Sequence, residues 1–246
     1  MEINNKHNIS PTTTRLHLKL KTPPKVRQRN SKLIFASLLL ALGLLVTGIG
    51  GAFAPWIWRP SVALQLTGPG LAEFVKFLPE IRLGQIEIER LYFLLPLFVA
   101  MLFLPLFACN KALVLPAWLR WSLRLTVIPL ALASLSPVWT PAILMATEFR
   151  LQTILAGVAV GLAVVGPLFK WLSLKILVWL LILGGLAAIS LSYWQFNLIQ
   201  ASISEVYHQP IWLGWGWWLA VGGVVLSAVG GMWLVILQRK PIKDGQ

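Results

Sequence analysis

Six long runs without a charged residue limit the fold of this chain more than any other feature of its sequence. The first run, residues 33–58, would reach about 39 Å as an α-helix, which exceeds the ~30 Å hydrocarbon core of a bilayer. Of all residues, 57% are hydrophobic and 12% charged, whereas soluble domains average about 25% charged residues. We therefore predict an all-α, polytopic integral membrane helix bundle with about six transmembrane helices. The runs cover residues 33–58, 91–110, 125–147, 151–169, 176–204 and 211–238.

Positive charges are concentrated on one side of these runs. Residues 1–32 contain eight lysines and arginines but only one acid, Glu2, and cytoplasmic segments of membrane proteins carry an excess of basic residues. Alternating the sides of the six runs places 16 of the 21 basic residues inside. We therefore predict a disordered basic cytoplasmic tail over residues 1–32, a transmembrane domain over residues 33–240 and a cytoplasmic tail over residues 241–246.

The longest segment between the runs, residues 59–90, is predicted to be an external loop. A Gly-Pro-Gly sequence at residues 68–70 breaks the chain, and Leu71, Phe74, Val75 and Leu78 then follow at helical spacing. This pattern predicts a short amphipathic helix on the outer membrane surface, ended near Pro79. Residues 85–90 alternate apolar and acidic side chains, which fits either a strand or an extended lead into the next helix.

Small residues recur every four positions in three of the runs. Such spacing lets two helix backbones approach closely in a membrane, so we predict helix packing at these faces and, second, contact between copies of the chain. The three predicted faces are Gly43, Thr47 and Gly51; Thr153, Gly157 and Gly161; and Gly223, Ser227 and Gly231.

The third run contains a proline pair, Pro137 and Pro141. Each proline removes a backbone donor, so the helix is expected to kink or open there. The default interpretation is a kinked packing helix. The alternative is a substrate pathway lined by Ser134, Ser136, Trp139 and Thr140, because irregular backbone at membrane depth is tolerated where it lines a cavity. A re-entrant hairpin over residues 125–169 would leave four spanning helices.

The apolar runs contain no ionisable acid or base, whereas ion and proton pathways usually place such a group inside the membrane. The three histidines lie in the tail or an external segment, Cys109 is the single cysteine, and no nucleotide, haem or protease motif occurs. We therefore predict no cofactor, metal or catalytic residue. Glu148 and Arg150 remain as a polar outer site. Nucleic acid is excluded as a partner, since no basic face is interleaved with aromatic residues.

The predicted function is a non-enzymatic subunit or accessory component of a membrane complex, whose partners are the lipid bilayer and other membrane subunits. The alternative is a permease component for an uncharged or lipid-like solute, working with a separate ATPase. An intramembrane lipid-modifying enzyme comes third. The predicted location is the plasma membrane with both termini cytoplasmic; an organelle membrane stays open, because the basic, acid-poor tail also resembles a transit peptide.

Overall fold

The structure, a computed structural model, describes residues 24–60 and 64–239, and most of these residues are helical. Residues 1–23 of the tail predicted over residues 1–32, and the whole tail predicted over residues 241–246, lie outside the described residues. The α-helices are α1 (Pro24–Ala52), α2 (Gly68–Phe74), α3 (Pro79–Arg82), α4 (Leu95–Cys109), α5 (Ala117–Ser134), α6 (Pro141–Leu144), α7 (Thr147–Val165), α8 (Leu174–Val206) and α9 (Trp215–Arg239). Two strands, β1 (Pro55–Arg59) and β2 (Leu64–Thr67), form an antiparallel hairpin. Single 3₁₀ turns cover Val75–Phe77, Arg90–Leu94 and Gly166–Phe169.

Within the described residues, five helices are long and apolar enough to cross a membrane. This confirms a predominantly helical chain of membrane character. Helix α5 is not among the five, since Arg120 and Arg124 lower the mean hydropathy of its 18 residues. The count of six transmembrane helices therefore stays a prediction. The five helices are Asn30–Ala52, Arg90–Cys109, Thr147–Phe169, Leu174–Val206 and Trp215–Arg239.

Hydrogen bonds between neighbouring helix termini define the two ends of the bundle. We name these the Arg90 end and the Cys109 end, after the first and last residues of the second apolar helix, Arg90–Cys109. At the Cys109 end, Val114 N donates to Ser37 Oγ of α1 at 3.1 Å, and Gln238 Nε2 of α9 donates to Ala112 O at 3.2 Å. The amide of Asn110 donates to the carbonyl before α8. At the Arg90 end, the chain before α9 bonds to Trp56 O.

Helix α5 runs from one end of the bundle to the other. Near its start, Arg120 Nη2 donates to Leu113 O at the Cys109 end. At its last residue, Ser134 O accepts a hydrogen bond from Gln152, one turn after the start of α7 at the Arg90 end. Eighteen helical residues correspond to about 27 Å. The helix is thus nearly as long as the ~30 Å hydrocarbon core of a bilayer is thick.

Helices α1 and α9 contact each other through backbone, at the predicted small-residue faces. A Cβ atom on Gly43 would lie 2.3 Å from Ser227 N, and one on Gly223 would lie 2.4 Å from Thr47 N. The last glycine of each face packs against a different helix. Gly51 of α1 contacts the backbone of Leu97 in α4, and Gly231 of α9 contacts α8. Both faces therefore pack within the chain.

The first apolar helix differs at both ends from its predicted bounds. It begins at Pro24, inside the segment predicted to be a disordered tail, and ends at Ala52, before Pro55, which cannot continue the helix hydrogen bonding. The predicted last turn is strand β1 instead. Trp56 is fully buried, and its Nε1 donates to Gly50 O at 2.9 Å.

The described part of residues 59–90, which we call the external segment after its predicted location, also packs against the bundle more closely than predicted. Helix α2 begins where Thr67 caps it, with Gly70 N donating to Thr67 Oγ1 at 3.2 Å. The predicted apolar stripe is present, but Leu71, Val75 and Leu78 are buried in the protein core rather than in lipid. Residues 85–89 form no strand and lead, partly extended, into the 3₁₀ turn that starts at Arg90.

The third run opens at the proline pair. Helix α5 ends at Ser134, residues 135–140 are not helical, and Pro141 starts the short helix α6. Hydroxyl groups bond to nearby backbone in this segment. Ser134 Oγ donates to Ala131 O at 2.7 Å, and Val138 N donates to Ser136 Oγ at 3.4 Å.

We predict that Gly223→Ala lowers the free energy of unfolding by about 1–3 kcal/mol, since the added Cβ must displace the backbone of α1. Gly222→Ala is the matched control, because a Cβ there meets no atom within 4 Å. Replacing glycine by alanine raises the helix propensity of α9 equally in both variants. Reversible unfolding of the detergent-solubilised protein, followed by circular dichroism, compares the two; equal stabilities would contradict the close α1–α9 contact.

Candidate functional site

Four charged side chains meet at the Arg90 end, and we call them the ion cluster: Glu73, Lys76, Arg90 and Glu148. Arg90 Nη2 lies 2.5 Å from Glu73 Oε1, and Arg90 Nη1 lies 3.2 Å from Glu148 Oε2. Lys76 Nζ lies 2.7 Å from Glu73 Oε2 and 3.5 Å from Glu148 Oε2. Each base therefore contacts both acids, and the four charges cancel.

Local structure brings these side chains together. Glu73 and Lys76 are three residues apart on one helical face, where such pairs attract. Glu148 lies in the first turn of α7, where the helix dipole favours a negative charge. Arg90 is anchored by its Nε, which donates to Ala72 O at 2.9 Å. The ring of Phe149 lies 4.5 Å from Lys76 Nζ and 5.1 Å from the guanidinium carbon of Arg90, within cation–π range.

A cavity of about 530 Å³ opens beside the ion cluster, within the usual size range of ligand pockets. Helix α7 forms one wall of this cavity with Thr147, Glu148, Leu151 and Gln152. A second cavity, of about 250 Å³, lies where the third run is broken, and Gln152 lines both. The remaining walls of the larger cavity are Val75, Lys76, Ile81, Arg82, Ile88, Glu89, Arg90 and Leu91.

The chemistry available to the ion cluster is limited by its own contacts. Arg90 is 18% exposed and has hydrogen bonds from both ends of its guanidinium, while Glu148 is 59% exposed and contacts two cations. Because Glu73 and Glu148 each contact both cations of the cluster, neither carboxylate is an isolated general base. The arrangement instead ties the external segment to α7. Arg150, predicted to share a polar site with Glu148, is exposed and has no ion pair in residues 24–60 and 64–239.

None of the four side chains predicted to line a substrate pathway lines either of these two cavities. Ser134 and Ser136 are buried and bonded to backbone. Trp139, 59% exposed, and Thr140 lie on the surface. The smaller cavity beside this segment is lined by Leu135 and Pro137 instead.

The third small-residue face, on α7, is open. A Cβ atom on Gly157 or Gly161 would meet no atom within 4 Å, whereas Ala156, Ala159 and Ala163 on the opposite side are buried. The intrachain packing predicted at this face is therefore missing among the described residues. Thr153, its third member, is partly buried, and its hydroxyl donates to Leu144 O at 2.9 Å. Helix α7 is also the least enclosed of the five long helices.

The open face continues to the larger cavity. Exposed residues at positions 147, 151, 154, 158, 161 and 165 follow one another every three or four residues along α7, which places them on one stripe of the helix. The first two of these residues line the cavity. The stripe and the cavity together form one continuous surface, which we call the α7 surface.

Comparison of the chain with protein-family models, curated proteins and solved structures found no match. Within residues 24–60 and 64–239, no three side chains of His, Cys, Asp or Glu form a group that could hold a metal ion. The ion cluster and the α7 surface are therefore interpreted from their own geometry.

Sequence reasoning did not predict that Glu73, Lys76 and Arg90 meet Glu148, and it missed the role of Phe149. The three-residue spacing of Glu73 and Lys76 was the available signal for one of its pairs. Contacts of these residues with Arg90 and Glu148 join positions up to 72 residues apart, which no local pattern indicates.

We predict that Arg90→Met releases the external segment from α7. The variant leaves Glu73 without its closest cation, and a hydrogen bond to a charged group contributes about 1.5–3 kcal/mol. Amide hydrogen exchange of residues 68–77 should therefore accelerate by at least about 10-fold. Arg150→Met is the matched control and should leave this exchange within about 2-fold of the wild type. Unchanged exchange in Arg90→Met would show that the segment is held by its apolar contacts alone.

Proposed function

We propose that the protein is a non-enzymatic subunit of a membrane complex and that its α7 surface contacts another subunit. The observation that carries this proposal is the open glycine face at Gly157 and Gly161. The two other small-residue faces, on α1 and α9, are by contrast filled by helices of the same chain. Lipid is as apolar as a helix surface, so helices associate in membranes by close packing, which small residues permit. A glycine face without an intrachain neighbour suits a helix from another chain.

The proposed occupant is a transmembrane helix of a different protein that also has a short segment outside the membrane. Such a helix would pack along α7, and its outer segment would enter the cavity of about 530 Å³ beside the ion cluster. The cavity walls carry both signs of charge, from Arg82, Glu89 and the ion cluster, which favours a polar peptide segment over a purely apolar one.

We predict that the wild-type protein, purified from its native membrane in mild detergent, retains a stoichiometric partner and that Gly157→Leu reduces the retained partner by at least about 10-fold. Leucine fills the space in which the second helix would lie. Gly222→Leu is the matched control, because Gly222 is equally open and lies in α9. It should retain the partner.

Other outcomes of this purification would contradict the proposal. A homodimer broken by Gly157→Leu would make the α7 surface a contact between copies. A wild-type protein that purifies alone and moves a labelled solute into liposomes would favour the alternative function, a permease component. The observation favouring that alternative is the non-helical segment at residues 135–140, beside the cavity of about 250 Å³.

We further propose six membrane crossings, with both termini cytoplasmic and the Cys109 end facing the cytoplasm of the plasma membrane. The extent of α5 between the two ends supports the sixth crossing. The distribution of charge supports the orientation. Basic residues at the Cys109 end include Lys111, Arg120, Arg124 and Lys170, while the six acids of the described residues occur in the segments of the Arg90 end.

We predict that a membrane-impermeant maleimide labels Phe77→Cys in intact cells but labels Trp171→Cys only after the membrane is opened. Both positions are highly exposed and lie at opposite ends of the bundle. The variants are made in a Cys109→Ser background, because Cys109 is the single native cysteine. The reverse pattern would invert the proposed orientation, and labelling of both sites in intact cells would contradict the proposed crossings.

A further inference from the structure

The Cys109 end contains a basic pocket formed where α4 ends, α5 begins and the turn after α7 returns. It has a volume of about 290 Å³, and four of its nine lining residues are cations: Lys111, Arg120, Arg124 and Lys170. None of the nine is an acid. The pocket belongs neither to the ion cluster nor to the α7 surface, since it lies at the opposite end of the bundle.

The two arginines are held in place by backbone. Arg120 Nε and Nη2 donate to Leu115 O and Leu113 O at 3.2 and 2.6 Å. Arg124 Nε and Nη2 donate to Ala163 O and Val164 O at 2.7 and 3.1 Å. Carbonyl groups fix each guanidinium without neutralising it. Among the described residues neither Nη1 has a hydrogen-bond partner, so donors remain for a ligand.

Aromatic rings contact three of the four cations. The guanidinium carbon of Arg124 lies 4.3 Å from the centre of the Trp121 ring, and Lys111 Nζ lies 3.3 Å from that of Trp171. Lys170 Nζ lies 5.7 Å from the same Trp171 ring. These cation–π contacts hold the charges near one another although like charges repel. An anion in the pocket would relieve that repulsion, and the cations are already positioned to receive it.

We propose that this pocket binds the phosphate headgroup of an anionic phospholipid. Arginine matches the oxygen geometry of phosphate, and basic pockets between membrane helices are suited to anionic headgroups. The surroundings favour a lipid over a soluble phosphate. Exposed Trp121 lines the pocket and exposed Trp171 contacts two of its lysines, as interfacial tryptophans do, and α5 and α7 expose apolar residues near the pocket arginine Arg124, such as Leu125 and Val164. Acyl chains would lie along these residues.

The test uses the full-length protein in mild detergent and measures bound lipid by native mass spectrometry. Phosphatidylglycerol is the anionic probe and phosphatidylcholine the zwitterionic control. The wild type should retain one phosphatidylglycerol at concentrations where phosphatidylcholine dissociates. The variant Lys111→Gln/Lys170→Gln should bind phosphatidylglycerol about 25-fold more weakly, since each lysine near an anionic lipid contributes about 5-fold. It leaves the arginine–carbonyl hydrogen bonds intact, so folding is retained.

The matched control is Lys32→Gln/Lys175→Gln, which removes the same charge from two exposed lysines outside the pocket. This control should stay within about 2-fold of the wild type. Equal losses in both variants would mean diffuse attraction and overturn the site. A thermal shift with inorganic phosphate as large as that with phosphatidylglycerol would also overturn the proposal in its lipid form. Neither outcome bears on the proposed subunit contact at the α7 surface, which the copurification experiment tests separately.

Discussion

Close backbone contact between α1 and α9 is the interaction on which the rest of the bundle depends. In lipid, the gain from bringing helices together comes from packing rather than from removing apolar surface from water. Glycines give α1 this contact on more than one side. A Cβ on Gly50 would reach the backbone of α9, one on Gly51 the backbone of α4, and one on Gly48 the Leu130 side chain of α5. Helix α1 is therefore central, with three helices arranged around its glycines.

The charged side chains are arranged differently at the two ends of the bundle. At the Arg90 end, acids and bases neutralise one another in the ion cluster, which fixes the external segment over the helices. At the Cys109 end, the pocket cations have no acid among their lining residues and are held by carbonyl groups and tryptophan rings. The first arrangement is complete in itself. The second leaves positive charge available to a membrane of anionic lipids.

Hydropathy and proline positions in the sequence predicted much of the fold, including the long apolar helices and the end of α5 before Pro137. They did not predict which side of a helix faces protein. Lipid and protein interior are both apolar, so hydropathy does not show that Trp56 and Trp217 are buried while the glycine face of α7 is open. The hairpin of β1 and β2 was missed because its connection has no Asn-Gly or Asp-Gly signal. The ion cluster joins distant segments, which local patterns do not reveal.

The pairing of α1 with α9 also has a consequence for biogenesis. Roughly 180 residues separate Gly43 from Gly223, and at about 5–20 residues per second a ribosome needs roughly 10–40 s to synthesise them. During that interval the nascent α1 has inserted, but its glycine surface still lacks the helix that will occupy it. Until translation delivers α9, the surrounding solvent rather than a helix of the same chain covers this surface.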